Sequence, residues 1–365
     1  FDIVYNTPDC ISLGVGEPDF VTPWRISDAG IYAIKDGNTH YTSNKGLQEL
    51  RQHIAAIISK KHNVLYDPET QILVTNGVSE GLDIALRSII NPGDEVIYFE
   101  PCYVSYSATI KLAYGKAVAI PTHFDNGFAI DIDQLQKTIT HKTKAIMLNY
   151  PANPTGASID KQTLEAIASI AIHHNLIVIA DEIYDEITYN GNHFSIISIP
   201  GMPERTIYLN GFSKAYAMTG WRLGYACGSE SIISAMNKIH QYTALCAPSI
   251  AQYAAIEAIT HGQRDVATMR SHYVKRRNFI SSRLQEIGLP CYPPRGAFYV
   301  FPSIAKTGLS SREFAVRLLK SHKVAVVPGT AFGSWYDNHI RCSYATSIEQ
   351  LKEAIDRIED FVNRL

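Results

Sequence analysis

Apolar residues fall along this chain in two alternating rhythms. Short, nearly continuous apolar runs are separated by longer stretches in which apolar positions return every three or four residues. The first rhythm marks strands buried on both faces and the second marks amphipathic helices. Runs at 72–75, 95–99, 117–120, 144–148, 176–180 and 206–209 predict strands, and periodic stretches at 47–60 and 80–90 predict helices. The turn Asn91-Pro92-Gly93-Asp94 closes the second helix. Asp160 stands at an N-cap position, ahead of a helix whose Leu164, Ile167, Ala168 and Ala171 share a face. Strands alternating with helices at this spacing predict a parallel sheet with right-handed crossovers.

Both ends of the chain read differently. Residues 1–40 hold turns and one short helical pattern. After about residue 262 a long polar helix precedes Pro290, and a strand is predicted at 297–301. The last segment repeats Ile348, Leu351, Ile355, Ile358, Val362 and Leu365 at helical spacing, with Ser347 and Gln350 predicting a capping box. This end reads as a smaller α+β unit packed against the larger sheet.

Composition narrows the picture further. A length of 365 residues exceeds one compact core, so two domains are expected. Hydrophobic residues at 46% and charged residues at 19% exclude a mainly disordered chain. With 33 Lys and Arg against 35 Asp and Glu, the net charge of −2 gives no basic excess for a nucleic-acid partner. Six dispersed cysteines form no C-x-x-C pair, so no metal site is read, and reduced thiols fit a cytoplasmic protein. No apolar run approaches the roughly 20 residues of a membrane span, and no basic-then-apolar leader is read at the start.

In open parallel sheets ligands gather at the carboxyl ends of strands. Three predicted strand ends carry polar signatures. YPANPTG at 150–156 sets Asn153 between two prolines that fix its direction. ADEIY at 180–184 sets Asp181 directly after a buried run, where a carboxylate needs a positive or hydrogen-bonding partner. NGFSKAYAMTGWRLGYACG at 210–228 sets Lys214 after a strand, with Arg222 eight residues on. Singly, each has an ordinary alternative: a turn-stabilising asparagine, a helix-capping aspartate, a solvated surface lysine. One cofactor accounts for all three together. Pyridoxal 5′-phosphate (PLP) requires a lysine amine for its Schiff base and a carboxylate that keeps its pyridine nitrogen protonated. It also requires donors for its phenolate oxygen and a cationic phosphate site. Lys214 and Asp181 suit the first two needs, Asn153 and Tyr184 the third, and Arg222 with Ser213 the fourth. Upstream, TNGVSEGLDIAL at 75–86 reads as strand, glycine turn and helix. Gly77 and the amides of Val78 and Ser79 are placed there for an anion, the alternative being a plain strand-to-helix connection.

These residues, with SLGVGEPDF from 12, YTSNKG from 41, NPGDEV from 91, PCYVSY from 101, RGAFYVF from 295, VVPGTAFG from 326 and IRCSYATS from 340, resemble a known family. The chain is similar to the class I/II aminotransferases of the fold-type I PLP superfamily, in the branch of bacterial and archaeal aspartate and aromatic aminotransferases. The resemblance implies a mostly parallel seven-stranded sheet between helices in a large domain, residues 38–264. Residues 1–37 and 265–365 would form the smaller α+β domain. It implies that Lys214 carries the cofactor, Asp181 pairs with its pyridine nitrogen, and Asn153 and Tyr184 contact its phenolate oxygen. Tyr103 would stack on the ring, and Gly77, Val78, Ser79, Ser213 and Arg222 would hold the phosphate. Tyr41 would reach the phosphate bound by the partner protomer, which makes the expected assembly a homodimer with sites at the interface. Arg341 would grip the substrate α-carboxylate, helped by the amide of Gly16, with Asn153 beside it. Many relatives have serine three residues before the lysine. Gly211 stands there in this chain, so weaker or rearranged phosphate hydrogen bonding is expected.

The implied reaction moves an amino group from an L-amino acid to a 2-oxo acid, with 2-oxoglutarate as the expected acceptor and ping-pong kinetics. Other PLP chemistry on the same scaffold, such as a C–S lyase or decarboxylase, is the nearest rival. A non-catalytic regulator on this scaffold would carry an added DNA-binding segment. A nucleotide-binding dehydrogenase is opposed by Gly14-Val15-Gly16, which lacks the third glycine of G-x-G-x-x-G. For side-chain choice, Arg25, Arg87 and Arg295 are the cations open to an aspartate pocket, and Trp24, Tyr103 and Phe332 the rings open to an aromatic one.

Overall fold

The six strands predicted between residues 72 and 209 all belong to one seven-stranded sheet in a computed structural model that describes residues 7–189, 191 and 193–365. Residues 1–6, which the sequence reading gave to the smaller domain, lie outside the described residues. A short N-terminal strand, β1 (Ile11–Ser12), stands outside this sheet. Within it come β2 (Ile72–Thr75), β3 (Glu95–Glu100), β4 (Lys116–Pro121), β5 (Thr143–Asn149), β6 (Ile177–Asp181) and β7 (Thr206–Gly211). The seventh, β8 (Gly224–Cys227), was not predicted; it inserts antiparallel between β2 and β7, giving the order β2-β8-β7-β6-β5-β3-β4. Its sequence, Gly-Tyr-Ala-Cys, has little strand propensity.

Successive strand residues face opposite sides, which explains why the runs are apolar throughout. Ile97, Ile146 and Val178 pack with Leu164 and Ile167 of the helix Lys161–His173 on one face. Val96, Ala145 and Ile179 pack with Leu82 and Leu86 of the helix Val78–Ile89 on the other. Asp160 caps its helix as predicted, accepting from the Thr163 amide at 2.7 Å.

A three-stranded sheet, ordered β11-β12-β9, sits with the C-terminal helices. Its strands are β9 (Tyr299–Val300), β11 (Val327–Pro328) and β12 (Ile340–Ser343). β1 pairs in parallel with β10 (Val324–Ala325), tying the N-terminal segment to this part of the chain. The strand predicted at 297–301 is shorter than expected, because Ala297 has a left-handed φ of 55° that breaks the extended run. The predicted capping box is half formed. Ser347 Oγ accepts from the Gln350 amide at 3.2 Å, but Gln350 Oε1 takes the Thr346 hydroxyl at 2.6 Å. Leu365 follows the helix Ile348–Asn363 and is half exposed, so it leaves the apolar face it was assigned to.

Candidate active site

The sheet register brings the polar strand ends together. Asn149 of β5 stands beside Asp181 of β6, which stands beside Leu209 of β7. Past these ends opens a cleft of about 600 Å³. Tyr103, Asn153, Asp181, Tyr184, Lys214 and Arg341 line it. At one end Val78, Ser79, Ser213 and Arg222 complete it, with Gly16 on the N-terminal segment. Of the expected positions two lie elsewhere. Gly77 sits directly behind Arg222, and Tyr41 is 82% exposed outside the cleft of its own chain.

Asp181 is buried, and burial pushes its carboxyl up to about 6 against the opposing hydrogen bond from Tyr106. Tyr106 Oη donates to Asp181 Oδ2 at 2.7 Å and the Ile183 amide to Oδ1 at 3.3 Å. Asn149 locks the neighbourhood, donating to the Asp181 carbonyl at 3.0 Å and accepting from the Asn153 amide at 3.1 Å. Sequence reasoning missed Tyr106 and Asn149. Tyr106 lay in the quoted PCYVSY stretch, three residues after Tyr103, and the two rings meet edge to face at 5.7 Å. Tyr106→Phe should lower kcat about tenfold, the loss of roughly one charge-assisted hydrogen bond of about 1.4 kcal/mol. Steady-state kinetics with unchanged kcat would remove Tyr106 from the site.

Lys214 Nζ donates to the Gly16 carbonyl at 2.6 Å. Burial lowers its pKa to about 8; Glu17 opposes this, while Arg341 and Arg222 add to it. Desolvation therefore dominates, with the neighbouring cations adding to it. Both perturbed groups weigh against folding of the cofactor-free chain at neutral pH. For Lys214, lowered from 10.5, the penalty is about 3 kcal/mol below pH 8 and vanishes above 10.5. For Asp181, raised from 3.8, it is present above about pH 6 and vanishes below 3.8. Lys214→Met should therefore raise the Tm of the cofactor-free protein at pH 7, with an advantage that fades between pH 8 and 10.5. A thermal-scan difference that stays constant over that range would contradict the lysine's burial.

Arg341 of β12 sits against two rings, its guanidinium carbon 4.5 Å from the Tyr299 centroid and 4.9 Å from that of Phe332. Nη1 donates to Asn153 Oδ1 at 3.0 Å and Nη2 to the Gly14 carbonyl at 2.5 Å. Its Nε is buried with no partner, an unsatisfied donor at the wall of a cleft. Tyr299, also missed, joins Tyr184 through their hydroxyls at 2.8 Å. Gly16 meets Lys214 through its carbonyl.

At the other end Gly77, with φ of 79°, caps the helix Val78–Ile89 and leaves that helix's first amides facing the cleft. A Cβ on Gly77 would lie 2.7 Å from Arg222 Nη2. Close strand contact explains Gly211: a Cβ there would lie 2.9 Å from the Gly224 Cα and 3.0 Å from the Leu223 carbonyl oxygen. Serine has no room without parting β7 from β8. Among the specificity candidates, Arg25 pairs with Glu257, Arg87 with Asp83, and Arg295 stacks on Tyr292. None lines the cleft, nor does Trp24, which is exposed. Tyr103 and Phe332 do, with Val15, Val104 and Val327.

A mostly parallel α/β sheet with a desolvated lysine and a buried carboxylate at its carboxyl edge defines a class of cofactor-dependent enzyme. The family model for aminotransferase class I and II matches residues 8–358. An aspartate aminotransferase of Pyrococcus abyssi is 46% identical over 362 residues, covering 98% of this chain and 93% of the relative. An aromatic-amino-acid aminotransferase of Thermococcus litoralis is 44% identical over 362 residues, covering 98% and 93%. The solved aromatic aminotransferase of Pyrococcus horikoshii superposes with a TM-score of 0.96 at 43% identity, covering 100% of this chain and 98% of that one. This chain belongs to the aminotransferase class I and II family. It is a PLP-dependent enzyme that transfers amino groups. The residues present fit that cofactor. The buried Asp181 carboxylate makes no ion pair among the described residues, a buried amine is poised to lose its proton, and a helix N-terminus beside an arginine fits a phosphate.

Proposed function

We propose that the enzyme transfers the amino group of an aromatic L-amino acid to a 2-oxo acid, 2-oxoglutarate being the acceptor, in a ping-pong cycle. The observation that carries the donor class is the cleft wall of Val15, Tyr103, Val104, Val327 and Phe332, with the cations Arg222 and Arg341 already committed elsewhere. Aspartate would require a further cation near that wall. Family membership supports the acceptor. A donor panel with 2-oxoglutarate should give aromatic amino acids at least about tenfold higher kcat/KM than aspartate, the worth of burying two methylene-sized groups; the reverse order overturns the donor class.

Bound in the cleft, PLP supplies an aldehyde that takes up the amino group and a ring that withdraws electrons from the substrate α-carbon. Lys214 would hold the aldehyde, and Asp181 would keep the ring nitrogen protonated, its own burial relieved by that cation. Asn153 gives its Oδ1 to Arg341, so its amide hydrogens remain for the ring oxygen. Tyr184 would donate to the same oxygen while accepting from Tyr299. Val78, Ser79, Ser213 and Arg222 would receive the phosphate, with Gly77 leaving room for the guanidinium. Arg341, packed against Tyr299 and Phe332, would bind the α-carboxylate, its unpaired Nε supporting this, with Gly16 alongside. Tyr103 would cover the ring. With a pKa of about 8, Lys214 is partly neutral near pH 7 and can take the α-proton and return it.

Tyr41 and the exposed rings of Trp24, Tyr32 and Tyr242 support a homodimer in which Tyr41 completes the partner's site. Leu13 packs with Leu284 and Leu351, which supports joining the start of the chain to 265–365 as a unit beside 38–264, whereas Ile26 of the helix Trp24–Lys35 packs with Leu50 and Ala251 of the larger unit. Free cysteines support a cytoplasmic setting. Incubating the loaded enzyme with an amino donor and no oxo acid tests the reaction type. One oxo acid per active site and then arrest is expected. Continued turnover releasing ammonia would favour a lyase.

A further inference from the structure

Beneath the turn that would receive the phosphate lies a pair, half-buried Glu80 and buried His240, to which neither the resemblance nor the reaction gives a role. Glu80 stands in the first turn of the helix Val78–Ile89, two residues after Val78. Its Oε2 reaches back to Asn76, accepting the backbone amide at 2.6 Å and the side-chain Nδ2 at 3.0 Å. Its Oε1 meets His240 Nδ1 at 2.8 Å. A carboxylate only accepts, so Nδ1 is the donor. His240 is fully buried on the helix Glu230–Thr243, and its Nε2 has no partner. Burial pushes the Glu80 carboxyl up, but the bonds from His240 and Asn76 outweigh it and hold the group below its usual range.

An acidic residue here presents a physical problem. The positive end of a helix attracts any anion, and the Glu80 carboxylate is covalently tethered one turn from the amides of Val78 and Ser79. Left unpaired, it would turn toward those amides and Arg222, the groups a phosphate needs. His240 engages one oxygen and Asn76 the other, which keeps the charge turned away. The same clamp fixes residue 76 and thereby Gly77, whose φ of 79° sets where the first helical amides point.

We propose that His240 is a positioning residue for phosphate binding: by holding Glu80 against Asn76 it keeps the helix amides and Arg222 free for the cofactor's 5′-phosphate. This rests on the phosphate placement proposed above. It distinguishes affinity for the phosphate from affinity for the ring, because the clamp touches neither Lys214 nor Asp181.

The test compares dissociation constants of PLP and of pyridoxal, which lacks the phosphate, for the full-length enzyme stripped and re-titrated by absorbance. His240→Leu should weaken PLP about tenfold or more while leaving pyridoxal within about twofold. His240→Asn, whose Nδ2 takes the place of Nδ1, should restore most of the PLP affinity. Equal weakening of both ligands means a merely structural role and overturns the proposal, as does an unchanged ratio. If His240→Leu does not fold, His240→Phe, which keeps a ring in the buried site but has no Nδ1 donor, takes its place, and an unchanged ratio there also overturns the proposal. Arg222→Ala is the control. If it lowers the PLP-to-pyridoxal preference and His240→Leu does not, only the role of His240 falls. If neither variant moves the preference, the phosphate placement falls with it.

Discussion

Replacing Lys214 with alanine should lower turnover at least about 10⁴-fold and abolish the visible absorbance of the lysine-bound cofactor. The size follows from two functions lodged in one atom. Nζ is the amine proposed to hold the cofactor aldehyde, and it is also the base proposed for the α-carbon proton. Among the described residues only this lysine lines the cleft, and its desolvation, which lowers the pKa to about 8, makes a neutral amine available. The variant should keep its fold, because removing a buried charge relieves a penalty and leaves only the Gly16 carbonyl without its donor. It should still bind PLP through the phosphate end and Asp181. A small primary amine added to the buffer should recover part of the proton-transfer rate. Turnover within a hundredfold of the unaltered enzyme, with the visible absorbance intact, would overturn the assignment.

Arg341→Ala should reduce kcat/KM for the amino donor about 10²- to 10³-fold, mainly through KM. Two charge-assisted hydrogen bonds at about 1.5–2 kcal/mol each give roughly 3–4 kcal/mol, and 1.4 kcal/mol is a factor of ten. Arg341→Lys should recover little, since an ammonium cannot fork onto a carboxylate as the guanidinium packed against Tyr299 and Phe332 can. An amine substrate that lacks the α-carboxylate should react equally well with both proteins. This separates a carboxylate grip from damage to Asn153, which also loses its Arg341 donor. Unchanged donor KM in Arg341→Ala would remove the residue from the substrate site.

Much of this molecule is legible in one dimension. The runs at 72–75, 95–99, 144–148, 176–180 and 206–209 are legible as sheet strands because residues buried on both faces leave no polar alternation to confuse, and the half-buried edge run at 117–120 is apolar as well. Asp160 caps its helix because N-capping needs only local geometry. β8 stayed hidden because its Gly-Tyr-Ala-Cys sequence reflects what packs on it. Gly224 must let the turn at Gly77 pass, where a Cβ would lie 2.7 Å from the Val78 amide nitrogen. The break at Ala297 was likewise invisible, since a left-handed φ in alanine is imposed by its surroundings.

The order of apolar and polar stretches by itself determined the parallel sheet, the strand ends that carry Asn153, Asp181 and Lys214, and hence the kind of chemistry. Those features depend on neighbours within a few residues, where periodicity and capping act. Only the tertiary structure decided that Tyr106 holds Asp181, that Tyr299 backs both Tyr184 and Arg341, and that His240 meets Glu80 across 160 positions. Such partners are chosen by burial: a desolvated charge must find its hydrogen bond wherever the fold brings a donor, and no local pattern encodes where that will be.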